Sequence, residues 1–117
     1  MSHISSSGGS GGSTPGQLIL NVTLITFADS PYTVLSTDSF IGVNSSGGAV
    51  TIFLPDFPTV GKTFIVKDDS GNAAANNIMI STVSGLDSID GATSFTMNTN
   101  LQSAQFIYAS LGTYYVY

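Results

Sequence analysis

The densest cluster of oxygen-bearing side chains is Asp68-Asp69-Ser70-Gly71-Asn72. Carboxylates, a hydroxyl and an amide grouped on a glycine-containing loop are the donor set of a hard cation such as Ca²⁺. The spacing is not that of an EF-hand, and the chain has no Glu to supply a bidentate ligand. Asp, Asn, Ser and Gly are equally the residues that close a hairpin loop. Asp68, Asp69 and Asn72 are therefore the candidate metal ligands, but the expectation is a loop without a metal. Asp87 and Asp90 flank another turn. A glycosidase pair would need one of them raised by burial, and nothing in the surrounding sequence provides that. The one histidine, His3, lies in a Gly/Ser tract, and Cys, Glu and Arg are absent. Serines without a base are ordinary hydroxyls. We expect no enzyme and no cofactor.

Tyr108, Tyr114, Tyr115 and Tyr117 form the second candidate group. In a terminal hairpin they fall on both faces of the sheet. Tyrosines on a sheet can stack on sugar rings, or pack in a core or subunit interface with their hydroxyls at the rim; packing is the reading favoured here. Asn21-Val22-Thr23 and Asn44-Ser45-Ser46 match the N-glycosylation pattern, but such triplets arise by chance in a Ser/Thr-rich chain.

Composition narrows the function classes further. Soluble domains average about a quarter charged residues, whereas this chain of 117 residues carries 8%, with two lysines against seven aspartates. A net charge of −5 argues against nucleic acid and against anionic membrane surfaces. No apolar run approaches the ~20 residues of a spanning helix, so no membrane insertion is expected. No signal peptide is visible at the start. The length suits one domain. So uncharged a surface is sticky unless another copy covers part of it, which points to a homo-oligomer.

Residues 1–16 are a Gly/Ser-rich N-terminal arm, a composition shared with flexible linkers, and carry Ile4 as a candidate anchor. Residues 17–117 read as a single β-domain. Its first segment, Gln17–Phe27, alternates Leu18, Leu20, Val22 and Leu24 with partly apolar neighbours, the period-2 signature of a strand. At ~3.3 Å per residue it would span about 30–35 Å. With both faces apolar it should be covered on both sides, as the first core strand or by pairing with a neighbouring subunit. Beyond it, short apolar runs are divided by turn residues. Ile41 and Val43 against Val50 and Ile52, across Asn44–Gly48, suggest a hairpin; Pro55 and Pro58 stop the second run. No window carries a helical stripe. The expected fold is an all-β antiparallel β-sandwich or jelly roll of eight to ten short strands, with a trimeric β-prism as the alternative.

Three stretches, PYTVLSTDSFIGVNSSGGAVTIFLP (31–55), GKTFIVKDDSGNAAANNIMIST (61–82) and SIDGATSFTMNTNLQSAQFIYASLGTYYVY (88–117), resemble in order a β-rich module. That module is found near the C-termini of phage and giant-virus fibre-like proteins (tail fibres, head fibres) and of some bacterial surface proteins. The resemblance implies a structural, commonly oligomeric module that ends or decorates a fibre and sometimes touches a host surface. Here a short arm and one strand stand where such modules usually carry a shaft, which suggests that the module itself is the repeating subunit. The expected function is a self-assembling subunit of an extracellular or virion fibre, joined by strand addition through Ile4, Leu18, Leu20, Val22 and Leu24. The alternative is a trimeric receptor-binding tip that recognises cell-surface glycans.

Overall fold

The computed structural model describes residues 19–117. They form ten strands: β1 (Val22–Thr26), β2 (Tyr32–Thr33), β3 (Phe40–Asn44), β4 (Val50–Leu54), β5 (Thr63–Asp68), β6 (Ile78–Thr82), β7 (Ser88–Ile89), β8 (Phe95–Met97), β9 (Ser103–Ser110) and β10 (Thr113–Val116). The strands make two sheets, a six-stranded one ordered β1-β3-β5-β9-β10-β7 and a four-stranded one ordered β2-β4-β6-β8. The class is all-β, with the apolar core between the sheets.

The pairing corrects the antiparallel expectation. Up to β6 the chain alternates between sheets, and each strand lies parallel to the one two places before it: β1 to β3, β3 to β5, β2 to β4 and β4 to β6. One strand from each sheet makes a coil, and three coils stack: β1/β2, β3/β4 and β5/β6. Antiparallel pairing enters only afterwards, where β8 joins β6, β9 joins β5, and β10 folds back on β9. A fifth parallel pair, β7 with β10, finishes the large sheet.

The expected hairpin of Ile41/Val43 with Val50/Ile52 is likewise corrected. β3 and β4 lie in different sheets, and the Asn44–Ala49 loop turns a corner between them. All four side chains are buried. Alternation reports only that one face is covered; it cannot distinguish a neighbour in the same sheet from a strand facing it across the core. Gly48, at a positive φ of 153°, helps turn the corner, and its N–H donates to Ser45 O at 3.1 Å.

The long strand expected over 17–27 is also shorter than the pattern suggested. It occupies only Val22–Thr26 and ends in a 3-10 turn, Phe27–Asp29. Thr26 stops it: its hydroxyl accepts from Ala28 N at 3.3 Å, while the Asp29 carboxylate accepts from Thr26 N at 2.9 Å. This reciprocal cap satisfies the donors that a continuing strand would have left to a neighbour. Nor, among the described residues, are both faces of the segment covered: Ile25 is buried whereas Val22 and Leu24 face solvent. Ile4 and Leu18 lie outside the described residues.

The core follows strict alternation. On β9, Ala104, Phe106 and Tyr108 point inward, while Gln105 faces out and Ile107 is half-buried. Phe106 meets Phe95 of the other sheet edge-on at a centroid distance of 5.7 Å. Replacing Phe106 with Ala should cost about 3–5 kcal/mol, and replacing Ile107 with Ala less than about 1 kcal/mol. Urea denaturation of the two variants checks this; equal losses would mean that the inward and outward faces are misassigned.

Candidate functional site

The terminal tyrosines divide by face. Tyr108 and Tyr114 are direct partners across the β9–β10 hairpin. Both are buried, with rings 5.0 Å apart at 63°. Their hydroxyls are engaged: Tyr108 accepts from Gly112 N at 2.7 Å and Tyr114 donates to Pro55 O at 2.6 Å. Burial, followed by the charge of Asp87, pushes the Tyr114 hydroxyl well above its ordinary pKa. These two rings are core and offer nothing to a ligand, which corrects their candidacy. Tyr115 and Tyr117 instead project from the outer face and are more than half exposed.

The 68–72 cluster does not converge on a cation. Asp68 is fully buried, and both of its oxygens are taken. Oδ1 accepts from Ser70 N, Ser70 Oγ and Gly71 N at 3.1–3.2 Å; Oδ2 accepts from Ala73 N at 3.0 Å and Leu101 N at 2.9 Å. Asp69 turns elsewhere, its Oδ2 lying 3.0 Å from where a β-carbon of Gly42 would sit. Burial raises the Asp68 pKa, but the N–H donors of Leu101, Ala73 and Ser70 and the Ser70 hydroxyl outweigh it, and the net direction is downward. Among the described residues no group of three or more His, Cys, Asp or Glu side chains could hold a metal.

A second buried carboxylate, Asp38, which is not among the candidates from the sequence, organises the first coil. Asp38 Oδ1 accepts from Thr23 Oγ1 of β1 at 2.6 Å. Its Oδ2 accepts from Tyr32 OH of β2 at 2.6 Å and from Leu35 N at 2.9 Å. Lys62 Nζ reaches the Asp38 carbonyl at 3.1 Å and sits 5.0 Å from the Phe64 ring centroid, a cation–π distance. Burial raises the Asp38 pKa, but Thr23, Tyr32, Leu35 and Lys62 together hold it below its ordinary 3.8. The Tyr32 hydroxyl is pushed up to about 12, first by burial and then by Asp38. Lys67 Nζ donates to Leu101 O. Both lysines therefore serve the fold.

Among the described residues the chemically open feature is the edge strand β1. Among the described residues β1 has one neighbour, β3. Asn21 O accepts from Phe40 N at 3.0 Å, which sets the phase of the parallel ladder. In that phase Thr23 and Ile25 turn their peptide groups toward β3, and those of Val22 and Leu24 face the open edge. Their side chains lie on the outer face, 58% and 70% exposed. Leu24 lies over Gly42 of β3, where a β-carbon would stand 2.7 Å from Leu24 Cδ2. Leu20, the remaining described member of the expected assembly set, is exposed but outside the strand.

No protein-family model matches the chain, and no curated protein matches it either. Among the described residues no helix is long and apolar enough to cross a membrane.

Asp38, Asp68, Tyr32 and Tyr114 set the pH range of stability. A depressed carboxylate contributes fully above its unfolded value near 3.8, and the contribution is lost as pH falls through the folded value. For Tyr32 the sign reverses: the contribution is complete below 10.0 and lost as pH rises through about 12. We expect stability to be level over roughly pH 5–9 and to fall on either side. Asp68→Asn keeps one acceptor but turns an amide donor toward backbone N–H groups, so it should cost about 2–3 kcal/mol at neutral pH and shrink the acid limb. Denaturant melts across the pH range measure both effects; an unchanged acid limb in Asp68→Asn would remove Asp68 from this role. Tyr32→Phe should likewise shrink the alkaline limb, and the raised Tyr114 hydroxyl keeps the remainder.

Proposed function

We propose that this protein is a structural subunit that assembles with copies of itself by β-strand addition at β1, as part of a fibre or filament on a virion or outside a cell. The observation that supports this most directly is that, among the described residues, β1 has a single neighbour and presents Val22 and Leu24 to solvent. Ladder hydrogen bonds to the open edge would give affinity, and the two side chains would fix register. A sandwich-like body built from parallel coils suits the role, because adding a strand at β1 continues the ladder already running through β1, β3 and β5. The low charge of the chain, 8%, agrees with a surface partly covered by other copies.

A second reading, a glycan-recognising receptor-binding tip, has one observation in its favour: Tyr115 and Tyr117 stand exposed on the outer face. It belongs with a three-chain, prism-like association.

Sedimentation velocity and electron microscopy of the full chain separate the two. The expected result is polydisperse, elongated assemblies that the double substitution Val22→Asp/Leu24→Asp converts to monomer. Because both side chains are exposed, that variant should lose only about 1 kcal/mol of stability. Assemblies unaltered by the substitution would rule out addition at β1. A discrete trimer that binds glycan through Tyr115 and Tyr117 would favour the tip.

A further inference from the structure

A groove of about 260 Å³ opens where β1 and β3, parallel neighbours, leave the large sheet; it is lined by Thr26, Phe27, Ala28, Asn44, Ser46 and Gly47. We propose that this groove binds a single neutral sugar ring, stacked on Phe27 and hydrogen-bonded by Asn44 and Ser46.

The aromatic platform is fixed in place. Phe27 belongs to the 3-10 turn held by the Thr26–Asp29 cap. One side of its ring lies on the Gly47-Gly48 backbone so closely that a β-carbon at Gly48 would stand 2.8 Å from it. Phe27 is nevertheless 50% exposed as a residue. A large apolar side chain immobilised with an open face loses little entropy when something stacks on it. The facing wall is polar. Asn44 Oδ1 accepts from Ser46 N at 2.9 Å, which orients the amide. The Asn44 amide N–H₂ and the Ser46 hydroxyl have no partner among the described residues.

The electrostatics select the ligand class. No lining residue is charged. The nearby Asp29 carboxylate, whose Oδ2 accepts from Thr26 N and Thr26 Oγ1, does not line the groove. Both lysines are committed to carbonyls elsewhere, and the net charge of −5 repels anions. A purely apolar ligand would desolvate the amide and hydroxyl without replacing their hydrogen bonds. What remains is a neutral ligand with one C–H face and a rim of hydroxyls, which is a pyranose. The volume lies below the 300–1,000 Å³ of sites for larger ligands, so one ring is the expected occupant and the affinity should be millimolar. The proposal is independent of the assembly reading and uses different residues from the exposed tyrosines.

Saturation-transfer difference NMR tests it on the full chain in whatever assembly state it adopts, with glucose, galactose, mannose and N-acetylglucosamine as probes, each to about 20 mM. At least one sugar should receive saturation on its ring C–H protons. Phe27→Leu keeps apolar cover over the glycines but removes the aromatic face, and should abolish the signal with the chain still folded by thermal melt. Asn44→Ala should weaken binding fivefold or more, and Tyr115→Ala/Tyr117→Ala should leave it unchanged. No transfer to any of the sugars, or transfer that survives Phe27→Leu and Asn44→Ala, overturns the proposal. So does a result in which Phe27→Leu disperses the assemblies and no sugar binds, since that would place Phe27 in a subunit contact.

Discussion

Everything after the second coil depends on where Asp68 puts its carboxylate. Strands satisfy their own peptide groups through the ladder, but the corners between coils have no ladder and must find other partners. Asp68, the last residue of β5, supplies acceptors for four backbone N–H groups and the Ser70 hydroxyl. Three of those N–H groups belong to the corner that follows it; the fourth, of Leu101, lies on the approach to β9. Ser70 Oγ in turn accepts from Ser45 N at 3.2 Å, and Asn76 Nδ2 donates to Ser45 O at 2.8 Å. One buried charge thus ties the third corner to the second and to the start of the antiparallel closing strands. A neutral side chain offers fewer acceptor sites and weaker bonds to N–H donors.

The same device recurs at the first coil, where Asp38 joins β1, β2 and the loop between β2 and β3. This recasts the composition. The aspartates look at first like a sparse surface charge, yet Asp38, Asp68 and Asp87 are all buried. The acidity of the chain is partly an internal scaffold, and the surface is correspondingly poorer in charge. That exposes uncharged side chains to solvent, the condition under which association between copies becomes favourable.

Much of this was legible as strand content and little of it as pairing. Period-2 alternation located the apolar runs around β3 and β4, because each buries one face and that face is read directly from Ile41, Val43, Val50 and Ile52. It could not choose between in-sheet and cross-core neighbours, so β3 and β4 read as a hairpin. Parallel stacking of coils leaves no local mark comparable to a two-residue hairpin turn; the Leu111-Gly112 turn between β9 and β10 was recognisable because it is local. The end of β1 was available in the sequence, since Thr26 and Asp29 stand at the spacing of a reciprocal cap, but the apolar run past it masked the signal. Asp38 was harder to see. Its partners Thr23 and Lys62 lie 15 and 24 residues away and Tyr32 six, and only the folded coil brings them together. Of the terminal tyrosines, alternation predicted a division between faces, and it took the register to show that Tyr108 and Tyr114 are the inward pair.

The four sheet edges differ in how they are protected, and the difference explains why β1 stands apart. Exposed edges invite pairing unless they are short, bent or covered. β2 is two residues long and follows Pro31 directly; β8 has three residues. β7 has two residues, and its far side is bridged by Ala92, which exchanges hydrogen bonds with Ile89 at 2.8 and 2.9 Å. β1 is five residues of Val, Thr, Leu and Ile with no Lys, Pro or bridge on it. Interior strands of the stack need such a composition because they have neighbours on both sides, as β3 has in β1 and β5. β1 is thus built like an interior strand while occupying an edge, and its composition fits the position once a further strand lies beside it.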